Sequence, residues 1–241
     1  MKKYYILGAP CYQVNSVKVV KGFIKGLINS GKGGYSVAIN AEKIMMYSED
    51  AKFKTILDNS VLPIPDGSGA TIGMKILHSV NSLKLDFPKI IFECANENNF
   101  SFFILGAEEK VNKNAEMVIN QKYSGINVVG RQNGYFEDES ILFKQIKLLK
   151  PQIVMIALGS PKQEELAVRL HMLIPSALLI GCGGALNILT GEVKRAPRFF
   201  QDNHLEWFYR LAKEPFRFKR QLILPIFLGR LIIEKIKIKS I

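Results

Sequence analysis

The segment Pro63-Ile64-Pro65-Asp66-Gly67-Ser68-Gly69 carries the carboxylate best set for chemistry. Two prolines restrict the approach and two glycines admit unusual backbone angles. Asp66 therefore sits on a stiff loop rather than a mobile tip. On turn preferences alone, Asp-Gly is first of all a surface turn. Other chemistries find less support. His78, His171 and His204 lack His-x-x-His or i,i+4 spacing, which argues against a zinc site or a histidine-based triad. Cys11, Cys94 and Cys182 form no C-x-x-C pair, their odd number argues against a disulfide framework, and Cys94 and Cys182, with no base in view, read as small buried hydrophobes. No Gly-x-Gly-x-x-Gly follows a strand and no Gly-Lys-Ser/Thr loop occurs, so ordinary dehydrogenase and P-loop kinase chemistry fall away.

The elements that must position such groups are legible as alternating patterns. Short β-rich runs recur at Tyr35–Ile39, Phe100–Leu105, Asn127–Val129, Ile153–Ala157 and Ala177–Ile180. Between them, Glu42–Leu57, Glu108–Tyr123, Glu137–Lys150 and Lys162–Leu173 have helical spacing, with acidic residues near several starts, where the helix dipole favours them. Continuously apolar strands belong to sheets covered on both faces. The expected class is α/β, a Rossmann-like and mostly parallel sheet flanked by helices, with a basic helical appendage at the C-terminus. Ligands of such sheets bind beyond the carboxyl ends of the strands. The segments there include Asn40-Ala41-Glu42, Gly106-Ala107-Glu108, Gly130 to Tyr135, Gly159 to Glu164 and Gly181-Cys182-Gly183-Gly184. Small residues in them let an anionic ligand approach backbone N–H groups.

With 241 residues, 48% hydrophobic and 22% charged, the chain is ordinary globular material, which excludes disorder, collagen and small disulfide scaffolds. Its net charge of +12 points to anionic partners: nucleic acid, phosphorylated small molecules or an acidic membrane. Residues 210–241 hold nine basic side chains against two acidic ones, interleaved with apolar residues in a manner suited to a membrane interface. The alternative is an ordinary terminal helix pair packed on the body. Pro225 is expected to split the stretch into two short helices. The apolar run Leu222–Ile233 is about half of what a membrane span needs. With no signal-peptide pattern at Met1–Ala9, the chain is expected to be cytoplasmic and peripheral on the inner face of the membrane.

The block from Gly159 to Gln221 is the most specific part of the chain. It contains Gly-Ser-Pro-Lys-Gln-Glu (159–164), Gly-Cys-Gly-Gly (181–184), Thr-Gly-Glu-Val-Lys-Arg-Ala-Pro (190–197), Leu-Glu-Trp-Phe-Tyr-Arg-Leu (205–211), Glu214-Pro215 and Arg-Phe-Lys-Arg-Gln (217–221). It resembles the bacterial WecG/TagA/CpsF glycosyltransferase family, and the resemblance continues through Ala38 to Lys43, Asp66-Gly67 and Gly134-Tyr135-Phe136. The resemblance implies an inverting hexosyltransferase. It moves an N-acetylmannosamine-type sugar from UDP to N-acetylglucosamine on undecaprenyl diphosphate, in surface polysaccharide synthesis, without metal or other cofactor. The Ala-Ile-Asn-Ala-Glu-Lys segment looks closest to the N-acetylmannosaminuronic acid branch. Asp66 matches the family's base. Asn40, Gly67 and Gln163 match pocket positions, Asn187 falls at a pocket position, and Tyr135 matches an aromatic near the uracil. Gly183, Gly184, Lys194 and Arg195 are the candidates for the diphosphate, and Arg210, Arg217 and Arg220 for appendage contacts to the acceptor. Read without the family, Asn40 is a cap, Gln163 an exposed helix amide and Tyr135 a packed aromatic.

Two departures stand beside these matches. Asn81-Ser82-Leu83-Lys84-Leu85-Asp86 lacks the arginine of the family's Arg-x-x-Gly-x-Asp, leaving Lys84 as a point charge, and Asn187 replaces an aspartate. Two competing functions follow: a catalytically impaired, membrane-bound scaffold of the same family, and a basic nucleic-acid binder. The latter is disfavoured because no helix-turn-helix, RRM or zinc-finger pattern is present. The expected division is a catalytic domain, 1–209, and a membrane-associating appendage, 210–241. Partners are the UDP-sugar, the lipid-linked acceptor and an anionic membrane surface, with homo-oligomers left open.

Overall fold

Period-two burial decides the architecture. Within the strand Ser101–Gly106, Phe102 and Ile104 pack into one apolar cluster while Phe103 and Leu105 pack into another, and Ile153–Ala157 divides in the same way. Both faces of these strands are therefore covered, which is why they read as unbroken apolar runs. The computed structural model describes residues 1–197, 199–200, 206–213 and 222–239.

A small antiparallel hairpin, β1 (Lys3–Ile6) and β2 (Ala9–Tyr12), precedes the main sheet. The main strands are β3 (Gly34–Ile39), β4 (Leu62–Pro65), β5 (Ser101–Gly106), β6 (Asn127–Gln132), β7 (Ile153–Ala157) and β8 (Leu178–Gly181). They form one parallel sheet in the order β4-β3-β8-β7-β5-β6. The sequence reading missed β4, taking Pro63 and Pro65 for a stiff loop. Proline cannot donate to a ladder, and β4 is the edge strand, paired only with β3, where proline is tolerated.

On one face lie α2 (Ala41–Glu49), α3 (Ala51–Asp58), α4 (Gly67–His78), α7 (Glu139–Leu149) and α8 (Lys162–Leu173). On the other lie α1 (Val17–Asn29), α5 (Phe87–Asn98), α6 (Glu109–Lys122) and α9 (Ala185–Leu189). The expected single helix over Glu42–Leu57 is two. Asp50 ends α2 and caps α3, accepting from the N–H groups of Lys52 and Phe53 at 2.8 and 3.0 Å.

Two further helices are α10 (Glu206–Lys213) and α11 (Ile223–Lys239). Pro225 does not split α11 as expected, because it occupies the first turn, where its missing N–H has no helical partner to lose. α11 packs on α2 and α4, burying Phe227 and Leu231 in the core. Arg230 reaches Ser48 and Glu49, both at 3.0 Å, and Lys235 donates to the Leu77 carbonyl at 3.0 Å.

Candidate active site

β3 and β4 pair in register to their last residues, Ile39 opposite Pro65, and the Asp66 N–H donates to the Ile39 carbonyl at 2.8 Å. Asn40 and Asp66 thus leave adjacent strands side by side. Each is the N-cap of the helix that follows, α2 or α4. Gly69 presses those two helix starts together: a Cβ there would stand 2.9 Å from the Ala41 Cβ and from its N. Asn40 does act as a cap, accepting from the Lys43 N–H at 3.0 Å. Asp66 makes no side-chain cap bond and is exposed. Gly67 follows it at φ +71°, an angle that glycine adopts without strain.

β8 is shorter. Its pairing places Ser36 opposite Ile180, so the end of β3 rises about 7–10 Å above Gly181 at roughly 3.3 Å per residue. The result is a step. Asn40 and Asp66 form a wall, and the Gly181–Gly184 turn and the start of α8 form a floor.

Buried polar groups hold that floor. Gln163, only 3% exposed, lies across the end of β8, where a Cβ on Gly181 would stand 2.8 Å from its Nε2. The Gly183 N–H donates to Gln163 Oε1 at 2.9 Å, and Gln163 Nε2 donates to Glu164 Oε1 at 2.9 Å. The same carboxylate oxygen receives Lys43 Nζ at 2.8 Å, in an ion pair whose side chains are 5% and 1% exposed. The bland expectation of an exposed helix amide at Gln163 is therefore wrong. The N–H of Gly183, a sequence candidate for phosphate, is occupied by that amide, while Gly184 stays exposed.

Lys43 and Glu164 escaped the sequence reading. Each is a charged residue in the first turn of its helix, which looks like solvated surface, and only the fold brings together positions 121 apart. A first-turn cation opposes the helix dipole, so Lys43 needs the partner it has.

The cations lie on the opposite rim. α5 runs down to the start of β5, so Asp86, its N-cap, stands at the carboxyl end of the sheet, and there it pairs with Arg195. Lys194 is exposed beside it, and Asn187 sits in α9, half-buried. Lys84, the expected stand-in for the missing arginine, is paired with Glu206 of α10 at 2.6 Å. Arg210 stands on α10; Arg217 and Arg220 lie outside the described residues.

Tyr135 follows the far edge strand β6, but its loop crosses back. The Gly134 N–H donates to the Ala107 carbonyl at 2.8 Å, and a Cβ on Gly134 would lie 3.0 Å from Leu158 Cδ2. Tyr135 comes over the ends of β5 and β7, where the chain connections diverge, and is 74% exposed rather than packed. Burial pushes the Cys94 thiol up to about 11 and that of Cys182 up to about 12, which removes both as nucleophiles near neutral pH.

A wall with a carboxylate above a glycine floor, rimmed by cations, suits transfer of a group from a phosphorylated donor to a hydroxyl. The model of the glycosyl transferase WecG/TagA/CpsF family matches residues 4–241. The chain belongs to this family of glycosyltransferases. A curated relative from Bacillus subtilis (strain 168), N-acetylglucosaminyldiphosphoundecaprenol N-acetyl-beta-D-mannosaminyltransferase, is 30% identical over 228 residues, 93% of this chain and 89% of the relative. Membership of the WecG/TagA/CpsF family makes the chain an enzyme.

Proposed function

We propose that this glycosyltransferase moves N-acetylmannosamine from a UDP donor to N-acetylglucosaminyldiphosphoundecaprenol, the acceptor in the relative's name. The relative's name favours N-acetylmannosamine over its uronic acid. The observation that carries the proposal is the step: Asp66 and Asn40 leave the paired strands β4 and β3 beyond the Gly181–Gly184 floor, which ends the next strand, β8. In this reading Asp66 accepts the proton of the acceptor hydroxyl as its oxygen bonds to the anomeric carbon. The bond from that carbon to the UDP oxygen breaks on the opposite face, and the configuration inverts. The charge on departing UDP is met by Gly184 and by Arg195 and Lys194, with Arg195 exchanging Asp86 for phosphate. Tyr135, at the switch of connections, would stack on the base, and Arg210, Arg217 and Arg220 would approach the acceptor diphosphate.

The membrane part of the reading rests on α11. Its apolar residues run all round: Phe227 and Leu231 are buried, while Ile226, Ile232, Ile233 and Ile236 are each more than half exposed on the outer side. A helix apolar on two sides needs a second apolar partner. Among the described residues no helix is long and apolar enough to cross a membrane, so this reading lays α11 on the surface, with Arg230 and Lys237 at the level of anionic headgroups.

Release of UDP from UDP-N-acetylmannosamine, dependent on a short-chain lipid-diphosphate N-acetylglucosamine acceptor, tests the reaction; no release with any UDP-N-acetylhexosamine refutes it. The double variant I232E/I236E should keep its fold and lose sedimentation with anionic vesicles. Unchanged sedimentation removes the membrane role of α11.

A further inference from the structure

We infer that Glu164, held by Lys43, is a positioning residue that fixes which way the Gln163 carboxamide faces and thereby the conformation of the Gly181–Gly184 turn. For its bearing on catalysis, the inference rests on the reading of that turn as part of the donor site.

An amide side chain can present either its oxygen or its nitrogen to a neighbour, and nothing in glutamine itself decides which. Here both ends are committed by partners that each accept only one choice. An ionised carboxylate has no proton to give, so Glu164 Oε1 must face the NH₂ of Gln163, 2.9 Å away. A backbone N–H has no lone pair to offer, so Gly183 must face the carbonyl oxygen, also at 2.9 Å. A glutamine at position 164 would remove the first constraint, since it could turn either atom to Gln163. The charge of Glu164 therefore carries information that its shape does not.

That charge is buried, and Lys43 makes it tolerable. Glu164 Oε1 takes both Lys43 Nζ and Gln163 Nε2, whereas Oε2 is buried with no hydrogen-bond partner. A carboxylate so deep and half satisfied is a poor stability device, because a matched apolar pair is often as good or better. A geometric function accounts for it. The chain of contacts runs from the N-cap Asn40 through the Lys43 N–H and Lys43 Nζ to Glu164, Gln163 and Gly183. It joins the ends of three neighbouring strands, β3, β7 and β8, so the wall and the floor of the step share one hydrogen-bonded support.

The test is a double-mutant cycle on E164Q and Q163A, read in three ways on the full-length chain: melting temperature, KM and kcat for UDP-N-acetylmannosamine by UDP release, and hydrogen exchange of the Gly183 amide by NMR. E164Q is expected to raise the donor KM about tenfold with a smaller change in kcat, as loss of a charge-assisted contact would. In the Q163A background it should add nothing, because Glu164 acts through Gln163. The Gly183 amide should exchange about tenfold faster in both single variants than in the wild type. A wild-type KM for E164Q, losses that add in the double variant, or an unchanged Gly183 amide would each overturn the inference. If E164Q does not fold, E164D takes its place: it keeps the charge near Lys43 but is one methylene too short to hold Gln163 as well. If the wild type releases no UDP, it is the proposed reaction that fails, and the Gly183 amide alone decides the positioning role.

Discussion

The two sides of the step are built by different physics. On the β3–β4 side Asp66 is exposed, and its backbone is set by the N–H bond to the Ile39 carbonyl together with apolar contacts: Gly69 against Ala41, with α2 and α4 backed by Phe227 and Leu231 of α11. On the β7–β8 side the groups are set by directed bonds among charged and amide atoms buried beneath the surface. A residue placed by packing can lose its charge without moving, because the contacts that place it belong to its neighbours. A residue placed by a buried polar network cannot, because removing one member leaves another unsatisfied. Loss of charge at the proposed base should therefore bear less on stability than loss of charge in the groups that support the floor.

The sharpest check is D66N. It should reduce turnover by about 10² to 10⁴, the range of a lost acid–base group, while the melting temperature and UDP affinity stay at wild-type values. A stability loss in this variant would break the contrast. K43M should do the reverse of sparing stability. It strands the Glu164 carboxylate in the core, and unfolding in urea should show a loss of about 3–5 kcal/mol. Near-native stability would mean that the pair is not the support described here.

R195A should weaken UDP about tenfold by calorimetry, the size of a single charge-assisted contact, without changing the fold. The Asp86 pairing it loses is on the surface and contributes at most about 1 kcal/mol. The smallest effect is alkaline. Burial pushes the Cys94 and Cys182 thiols up from the ordinary value of about 9 to about 11 and about 12, so the unfolded chain sheds these protons first. Their contribution is fully present below about pH 9 and falls as pH rises towards 11 and 12, visible as a steeper alkaline loss of stability than in C94A/C182A. Alkylation near neutral pH should spare both thiols in the folded chain.

Several features of this protein are legible without its fold. The strands Tyr35–Ile39 and Ile153–Ala157 announce themselves as mostly apolar runs, because both sheet faces are buried; the one polar side chain in them is the small Ser36. Lys162–Leu173 reads as a helix to the residue, its acidic first turn matching the dipole. The small residues after the strands and the exposed Asp66 beyond β4 are likewise visible in the sequence, whereas the role proposed for Asp66 comes from its match to the family. Those are local properties, and local sequence encodes them. Which strand is the edge, and so whether Pro63 and Pro65 lie in a strand, depends on a neighbour absent from the local sequence. That Tyr135 crosses back over β5, that Gln163 is buried, and that Lys43 meets Glu164 are decided by strand order and loop closure. Packing and pairing act between residues distant in the chain, and a linear pattern holds no record of such distances until the sheet is assembled.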